Sequence, residues 1–244
     1  MDKLTNSEWT QQEIAYEHNR EEFIRNIDFL QYIDDPFLYM KRQKLTGYFT
    51  RIKLFEKILN VKGSIIECGV HKGGSLMLYY HLSSILEPYA INRKIYGFDT
   101  FEGFRSISEK DEKILSNDMF SNTSFDVLNQ SIKMQDMNRP LSHIQKCSLV
   151  KGDAIKTIPE FIKEHPELII ALLYLDFDLY EPTKVALDHF LPLVPKGGIV
   201  AFDELNAKKW MGETKALKEI IKLREVKLGK FNFDPWPSFF VVGD

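Results

Sequence analysis

Short apolar runs alternate along the chain with segments whose apolar residues recur at helical spacing. The runs predict β-strands, and the periodic segments between them predict helices. The predicted strands cover residues 63–69, 94–99, 148–152, 169–176 and 198–203, and the predicted helices cover residues 73–87, 155–164 and 182–194. In the last helix, four apolar residues fall at i, i+3, i+4 and i+7, which marks the face that packs against a sheet. They are Leu187, Phe190, Leu191 and Val194.

This alternation is typical of an α/β fold, a doubly wound sheet with helices on both faces. Residues 226–244 predict two β segments separated by Asp234-Pro-Trp-Pro, and a hairpin there would add one strand antiparallel to the rest. Residues 8–32 are polar and helix-prone, and the apolar spacing from Tyr48 to Leu59 predicts another helix beside the first strand. We therefore expect a helical N-terminal extension over residues 1–60 and one domain over residues 61–244.

The stretch from residue 100 to residue 146 is polar and too long for an ordinary connection between two strands. A helix is predicted near residues 125–134. We expect part of this insertion to close over the bound ligands as a mobile lid, and the alternative is a rigid surface insertion.

Composition excludes some partners. The 244 residues are 44% hydrophobic, enough for one large domain with a substantial core. A net charge of -3, without a basic run interleaved with aromatics, argues against nucleic acid. The chain contains no run of 18 apolar residues and its first residues lack the apolar core of a signal peptide, so we expect no membrane association and a cytoplasmic location. Cys68 and Cys147 lie in predicted strands and fit buried apolar roles.

Acidic residues follow two of the predicted strands. Asp176 and Asp178 come at the end of one, and Asp203 and Glu204 end another. Parallel strands end at the same edge of a sheet, where open α/β folds place their ligands, so these carboxylates should lie close together. In an extended strand the spacing of Asp176 and Asp178 keeps both side chains on one face. Several carboxylates at one edge indicate a site for a hard cation.

The first half of the chain predicts a second ligand. Glu67 ends a short strand, a glycine-rich turn follows, and a helix begins near Ser75, an arrangement that lets backbone approach a nucleotide-like molecule. Such a turn also needs glycine for structural reasons alone. Asp99, at the end of the next strand, is well placed to accept hydrogen bonds from ribose hydroxyls, or else it caps a turn. Asp153 follows a third strand and has helix capping as its alternative.

Five motifs occur in one order along the chain. They are Glu67-Cys-Gly69-Val-His71-Lys72-Gly73-Gly74-Ser75, Gly97-Phe-Asp99-Thr-Phe101-Glu102-Gly103-Phe104, Lys151-Gly152-Asp153, Asp176-Phe-Asp178-Leu-Tyr180-Glu181-Pro-Thr183, and Lys196-Gly197-Gly198 with Asp203-Glu204. From about residue 60 to the C-terminus this series resembles the macrocin O-methyltransferase (TylF-like) family. The resemblance implies a Rossmann-like seven-stranded sheet, mostly parallel with one antiparallel strand. It also implies a class I O-methyltransferase that depends on S-adenosyl-L-methionine and a divalent metal and acts on a sugar or glycosylated metabolite.

Two positions depart from the family pattern. His71 stands where the family usually carries an aromatic residue, and Asp203-Glu204-Leu205 stands where it usually has Asp-Asp-Tyr. Glutamate still offers a carboxylate at this place, one methylene further from the backbone.

The resemblance assigns residues to the methyl donor, S-adenosyl-L-methionine. Glu67 and the glycine turn would hold its methionine portion, Asp99 its ribose, and Asp153 with Ala154 its adenine. The complete predicted donor set is Glu67, Gly69, Val70, Gly73, Ser75, Asp99, Thr100, Phe101, Asp153, Ala154 and Asp176.

The resemblance also implies the catalytic and metal residues. Asp176, Asp203 and Glu204 are the predicted ligands of Mg²⁺ or another divalent cation, which prefers oxygen donors. Asp178 is the predicted general base and acts together with Asp176; in the alternative, Asp178 only orients Asp176.

Some alternatives stay open. His71 and Lys72 fit a solvated turn better than a ligand contact, and Trp210 fits either stacking on a sugar or core packing. The N-terminal segment could pack on a neighbouring subunit in a homodimer or higher homo-oligomer. Rival functions are an NAD-dependent oxidoreductase and a catalytically silent S-adenosylmethionine-binding protein. The glycine-rich turn lacks the Gly-x-Gly start of a dinucleotide fingerprint, which argues against the oxidoreductase. The strand-end acids would have no role in either rival, so they argue against both.

Overall fold

The computed structural model of the chain describes residues 10–244. Residues 8 and 9 of the predicted N-terminal helical segment, and the rest of the first nine residues, lie outside the described part. The chain divides into two compact units, residues 1–46 and 47–244. The predicted helical N-terminal extension over residues 1–60 and domain over residues 61–244 stay a prediction.

The described part of the first unit is helical. Helix α1 covers Gln11–Arg25, α2 covers Phe29–Asp34, and a 3₁₀ turn covers Pro36–Leu38. Thr10 begins α1 with a capping box, in which its side chain accepts from the Glu13 backbone N–H and the Glu13 carboxylate accepts in return. Helix α3, Arg42–Ile58, includes the division between the units.

The second unit contains a seven-stranded sheet in the order β3-β2-β1-β4-β5-β7-β6. Its strands are β1 Ser64–Cys68, β2 Ile95–Asp99, β3 Cys147–Lys151, β4 Ile170–Leu175, β5 Ile199–Phe202, β6 Gly229–Phe231 and β7 Asp234–Val241. Neighbours among β1 to β5 pair in parallel, and β7 pairs antiparallel with both β5 and β6. The predicted fold class is therefore confirmed.

Helices cover both faces of the sheet because successive strand residues point to opposite sides. The helices of this unit, after α3, are α4 Gly74–Leu86, α5 Phe125–Asp136, α6 Ala154–Glu164, α7 Tyr180–Phe190 and α8 Met211–Ile220. In β4, Leu173 packs in one apolar cluster with residues of α6, α7 and α8, whereas Leu172 packs in a second cluster with residues of α3, α4 and α5. The sheet thus stands between two cores.

Two sequence expectations differ from the structure. The predicted break at Asp234-Pro-Trp-Pro is wrong, because these residues begin β7. β7 pairs with β5 only from Ser238 onward, and a register shift interrupts its pairing with β6 beside the prolines, so the missing proline N–H groups cost no regular ladder bond. Helix α8 was not predicted.

The insertion contains the predicted helix, as α5, after an irregular stretch over residues 100–124. Whether this stretch moves stays a prediction. No helix among residues 10–244 is both long enough and apolar enough to span a membrane.

Candidate active site

A cleft of about 280 Å³ opens at the edge of the sheet where the parallel strands end. Its walls come from the turns after β1 to β5 and from the irregular stretch 100–124. The predicted site residues that line it are Gly69, Asp99, Thr100, Asp153, Ala154, Asp176, Asp178, Asp203 and Glu204. One cavity therefore joins part of the predicted donor set to the predicted metal residues.

Gly69 lets the turn after β1 pass close to the end of β4. Its φ is +90°, and a Cβ built there would lie 1.8 Å from the carbonyl oxygen of Asp176. No side chain fits such a gap. This close approach alone requires glycine at position 69. The predicted contact of Gly69 with the donor stays a prediction.

Asp99 organises the turn after β1. One carboxylate oxygen accepts from the backbone N–H groups of Val70 (2.9 Å) and His71 (2.7 Å), and the other accepts from that of Phe101 (2.6 Å). The turn-capping role is thus present in the structure. A carboxylate has about four acceptor sites, so three bonds leave capacity toward the cleft, and the ribose role stays a prediction.

Asp153 also caps a backbone turn. Its carboxylate accepts from the Ile155 N–H at the start of α6 (3.1 Å) and from the Ser106 hydroxyl (2.9 Å). The second bond fixes the irregular stretch 100–124 to the end of β3. Asp153 therefore shapes the cleft wall whether or not it contacts adenine.

Five predicted donor residues do not line the cleft. Glu67 is buried within β1, Val70 and Phe101 are also buried, Gly73 caps α4, and Ser75 lies in the first turn of α4. Their predicted contacts with the donor stay predictions.

Three carboxylates meet on the other side of the cleft. Asp176, Asp178 and Glu204 each offer one oxygen, and these oxygens lie within 4.8 Å of one another. The expectation that an extended strand aligns Asp176 with Asp178 is wrong, since β4 ends at Leu175 and Asp178 has a φ of 62°. A left-handed turn, instead of the strand, brings the two side chains together.

Asp203 has different neighbours. Its Oδ1 accepts from the Arg51 guanidinium at 3.0 Å and from the Tyr174 hydroxyl. The structure thus groups Asp178 with Asp176 and Glu204, whereas sequence reasoning grouped Asp203 with them. The metal-ligand assignment stays a prediction, with all four carboxylates on the same cleft.

Burial and mutual repulsion make full ionisation of this cluster unfavourable. Burial, then Asp203 and Asp178, raise the pKa of Asp176 well above its ordinary value, while Arg51 opposes the rise. Burial and the same acids also raise the pKa of Glu204. A cation among these groups would favour their charged forms.

Glu213, on α8, is a fully buried acid that sequence reasoning missed. Its carboxylate accepts from the Glu204 N–H at 3.2 Å, and burial followed by Asp178 raises its pKa well above the ordinary value. Within the described residues, Glu204 Oε2 and Glu213 Oε1 are buried without a hydrogen-bond partner. Oxygen-only donors with unused acceptor capacity fit Mg²⁺ or another hard divalent cation.

Aromatic side chains form the remaining wall. The ring of Phe120 contacts those of His71 (5.5 Å), Phe104 (5.4 Å) and Trp210 (6.1 Å between centroids). His71, expected in a solvated turn, lines the cleft and faces Asn122 at 3.1 Å. Trp210 is 8% exposed, so it packs mainly inside this cluster. Phe120 was missed because it lies in a stretch without periodicity, and Phe104, although it ends one of the five motifs, was not among the predicted site residues.

Comparison with known proteins places this arrangement among methyltransferases. The sequence model of the macrocin-O-methyltransferase (TylF) family matches residues 51–240. The crystal structure of CalS11, a calicheamicin methyltransferase, is 31% identical, covers 97% of this chain and 95% of its own, and superposes with a TM-score of 0.91. The apo structure of CalS11, a TDP-rhamnose 3'-O-methyltransferase of calicheamicin biosynthesis, is 30% identical with 97% of each chain covered and a TM-score of 0.84.

A curated relative comes from Streptomyces olivaceus. It is 8-demethyl-8-(2,3-dimethoxy-alpha-L-rhamnosyl)-tetracenomycin-C 4'-O-methyltransferase, 26% identical over 149 residues. The match covers 59% of this chain and 53% of that protein, so the chain spans about half the length of this relative.

Proposed function

The chain belongs to the macrocin O-methyltransferase (TylF) family, and from this premise we propose that it transfers a methyl group from S-adenosyl-L-methionine to a hydroxyl of a sugar or glycosylated metabolite. The observation that carries the proposal is the single cleft that joins Gly69, Asp99 and Asp153 to the strand-end carboxylates. The sugar-directed relatives support the acceptor class.

The donor lies, in this proposal, against the turns after β1, β2 and β3. Asp99 retains acceptor capacity for the ribose hydroxyls, and Gly152, Asp153 and Ala154 line the place for adenine. Glu67 and the Gly69 to Gly73 turn hold the methionine portion. When bound, the donor supplies an electrophilic methyl group on a sulfonium sulfur.

The carboxylate side of the cleft takes Mg²⁺ or another divalent cation. We assign its ligands as Asp176, Asp203 and Glu204, all of which line the cleft. When bound, the ion supplies positive charge that favours an ionised acceptor hydroxyl and helps to orient it. The raised pKa values of Asp176 and Glu204 support a site built to hold a cation.

Asp178 is the proposed general base. Its oxygen lies within 4.8 Å of oxygens of Asp176 and Glu204, and it lines the cleft in which we propose that the acceptor binds. Asp178 accepts the hydroxyl proton as the acceptor oxygen bonds to the methyl carbon. The carbon–sulfur bond breaks at the same time and leaves its electron pair on sulfur. The protein's task is to hold the two reactants in line.

A methyl-transfer screen tests the proposal. Nucleotide sugars and glycosylated metabolites would be incubated with donor labelled in its methyl group, with Mg²⁺ or with EDTA. We expect label in at least one glycoside, less label in EDTA, and none for Asp176→Asn. Donor binding without transfer to any acceptor would instead support the catalytically silent protein, and NAD binding without donor binding would support the oxidoreductase.

A further inference from the structure

Arg51 places a buried positive charge against the carboxylate edge of the cleft. It lies on α3, is 8% exposed, and its Nη2 is 3.0 Å from Asp203 Oδ1 and 3.7 Å from Asp176 Oδ2. Its guanidinium carbon lies 4.5 Å above the ring of Tyr174. The Tyr174 hydroxyl donates to the same Asp203 oxygen, so Arg51 and Tyr174 together hold this carboxylate.

We propose that Arg51 is a built-in counter-cation that competes with the divalent ion for Asp203 and thereby limits how tightly the cleft binds the ion. This inference rests on the ion site of the proposed function. Arg51 does not line the cleft, so it is a positioning residue that acts through Asp203.

The contacts of Asp203 carry the inference. Asp176, Asp178 and Glu204 already lie together, whereas Asp203 is turned toward Arg51. An ion that binds Asp203 Oδ1 must displace Arg51 from that oxygen, and an ion that binds the other oxygen must share the same carboxylate charge with Arg51. A guanidinium next to two of the carboxylates also repels any second cation, and this repulsion is strong at such distances in a partly buried site.

The guanidinium is not fixed by a full set of hydrogen bonds. Arg51 Nε is buried and has no acceptor among the described residues, so the group is held chiefly by Asp203 and by stacking on Tyr174. If Arg51 served only to attach α3 to the sheet, its neutral replacement would loosen the site and weaken ion binding. If Arg51 is a counter-cation, its neutral replacement should instead strengthen ion binding.

A Mn²⁺ titration distinguishes weaker from stronger ion binding without measuring turnover. The EPR signal reports the concentration of free Mn²⁺. We expect Arg51→Met to bind Mn²⁺ at least about tenfold more tightly than the wild type, because one charge of repulsion is removed and Asp203 is released. Arg51→Lys is the matched control, and it keeps the charge, so its affinity should stay within about threefold of the wild type. Arg51→Gln is a second neutral replacement and should also bind Mn²⁺ more tightly than the wild type. Circular dichroism and thermal unfolding would confirm that each variant folds.

A double variant tests whether the effect runs through Asp203. Arg51→Met combined with Asp203→Asn should return to the wild-type affinity or bind more weakly. Unchanged or weaker binding by folded Arg51→Met and Arg51→Gln overturns the inference, as does a double variant that binds as tightly as Arg51→Met. Absence of Mn²⁺ binding in every protein would overturn the ion site itself, which separates the failure of the proposed function from the failure of this inference alone.

Discussion

Asp178 is the residue on which the proposed chemistry depends most. Its φ of 62° is a left-handed conformation that asparagine and aspartate tolerate better than most residues. Asp178→Asn should therefore keep the turn while removing the base. We expect kcat to fall by about 10² to 10⁴ and the affinity for S-adenosylhomocysteine, measured by calorimetry, to change little.

Asp188→Asn is the matched control for this loss of charge. Asp188 is an exposed acid of α7 that pairs with Lys184. It does not line the cleft. It should retain wild-type kcat. Wild-type turnover by Asp178→Asn would remove Asp178 from the base role.

Gly69 and Gly197 form a natural pair for testing close approach of the backbone. Both have φ near +90°, but a Cβ at Gly69 would lie 1.8 Å from Asp176 O, whereas at Gly197 the nearest atom is 3.7 Å away. Gly197→Ala should cost about 1 to 2 kcal/mol of unfolding free energy from backbone strain alone. Gly69→Ala should cost more than about 3 kcal/mol or prevent folding. Equal costs in urea unfolding would contradict the account of Gly69.

Among single residues, the sequence was enough to identify the acids of the site, because each of them ends or follows a predicted strand. Asp99, Asp153, Asp176 and Glu204 each follow an apolar run and do line the cleft. Arg51 and Glu213 escaped, because a charged residue in an amphipathic helix is normally exposed, and only tertiary contacts show that these two are buried.

Elements were predictable where their periodicity is regular. Every strand of the parallel part was expected within a residue or two, but α8 was missed. Gly212 lies near its start and weakens the helical signal. A Cβ there would lie 2.6 Å from both Asp178 O and Tyr180 N, so glycine allows α8 to pack against the start of α7. Gly212 therefore weakens the sequence signal of α8 and also permits its close packing against α7.

The irregular stretch 100–124 is attached to α7 by Asp111. This buried carboxylate accepts from the Tyr180 N–H at the start of α7 (2.7 Å) and from the Ser108 N–H (2.8 Å). Asp111→Asn should lose about 1 to 2 kcal/mol of unfolding free energy and raise the KM for the donor, since the stretch lines the cleft.

Glu109→Gln removes one charge from the same stretch at an exposed position and serves as its control. It should leave both quantities unchanged. A KM for Asp111→Asn equal to that of the wild type would show that the attachment does not shape the donor site.

For the whole molecule, the raised carboxylate pKa values predict how stability depends on pH. Asp176, Glu204 and Glu213 have folded-state pKa values above their ordinary values, chiefly because of burial. Their contribution to stability is present at low pH and is lost as the pH rises through the raised values. A bound divalent ion reverses the cost of ionisation.

The increase in Tm caused by saturating Mg²⁺ should therefore grow as the pH rises above the ordinary carboxylate pKa of about 4. Differential scanning fluorimetry at several pH values measures it, and Asp176→Asn should reduce the growth. A Tm increase that stays constant with pH, or falls, would contradict the coupling between ionisation and the ion.

The proposed chemistry requires strand-end carboxylates to hold a divalent ion beside a bound sulfonium donor in one cleft. Crystals grown with Mn²⁺ and S-adenosylhomocysteine test it most directly, by anomalous diffraction at the manganese edge. We expect an anomalous peak among Asp176, Asp203 and Glu204, next to Asp178, and nucleoside density against Asp99 and Asp153. Nucleoside density without any manganese peak at these carboxylates would contradict the account.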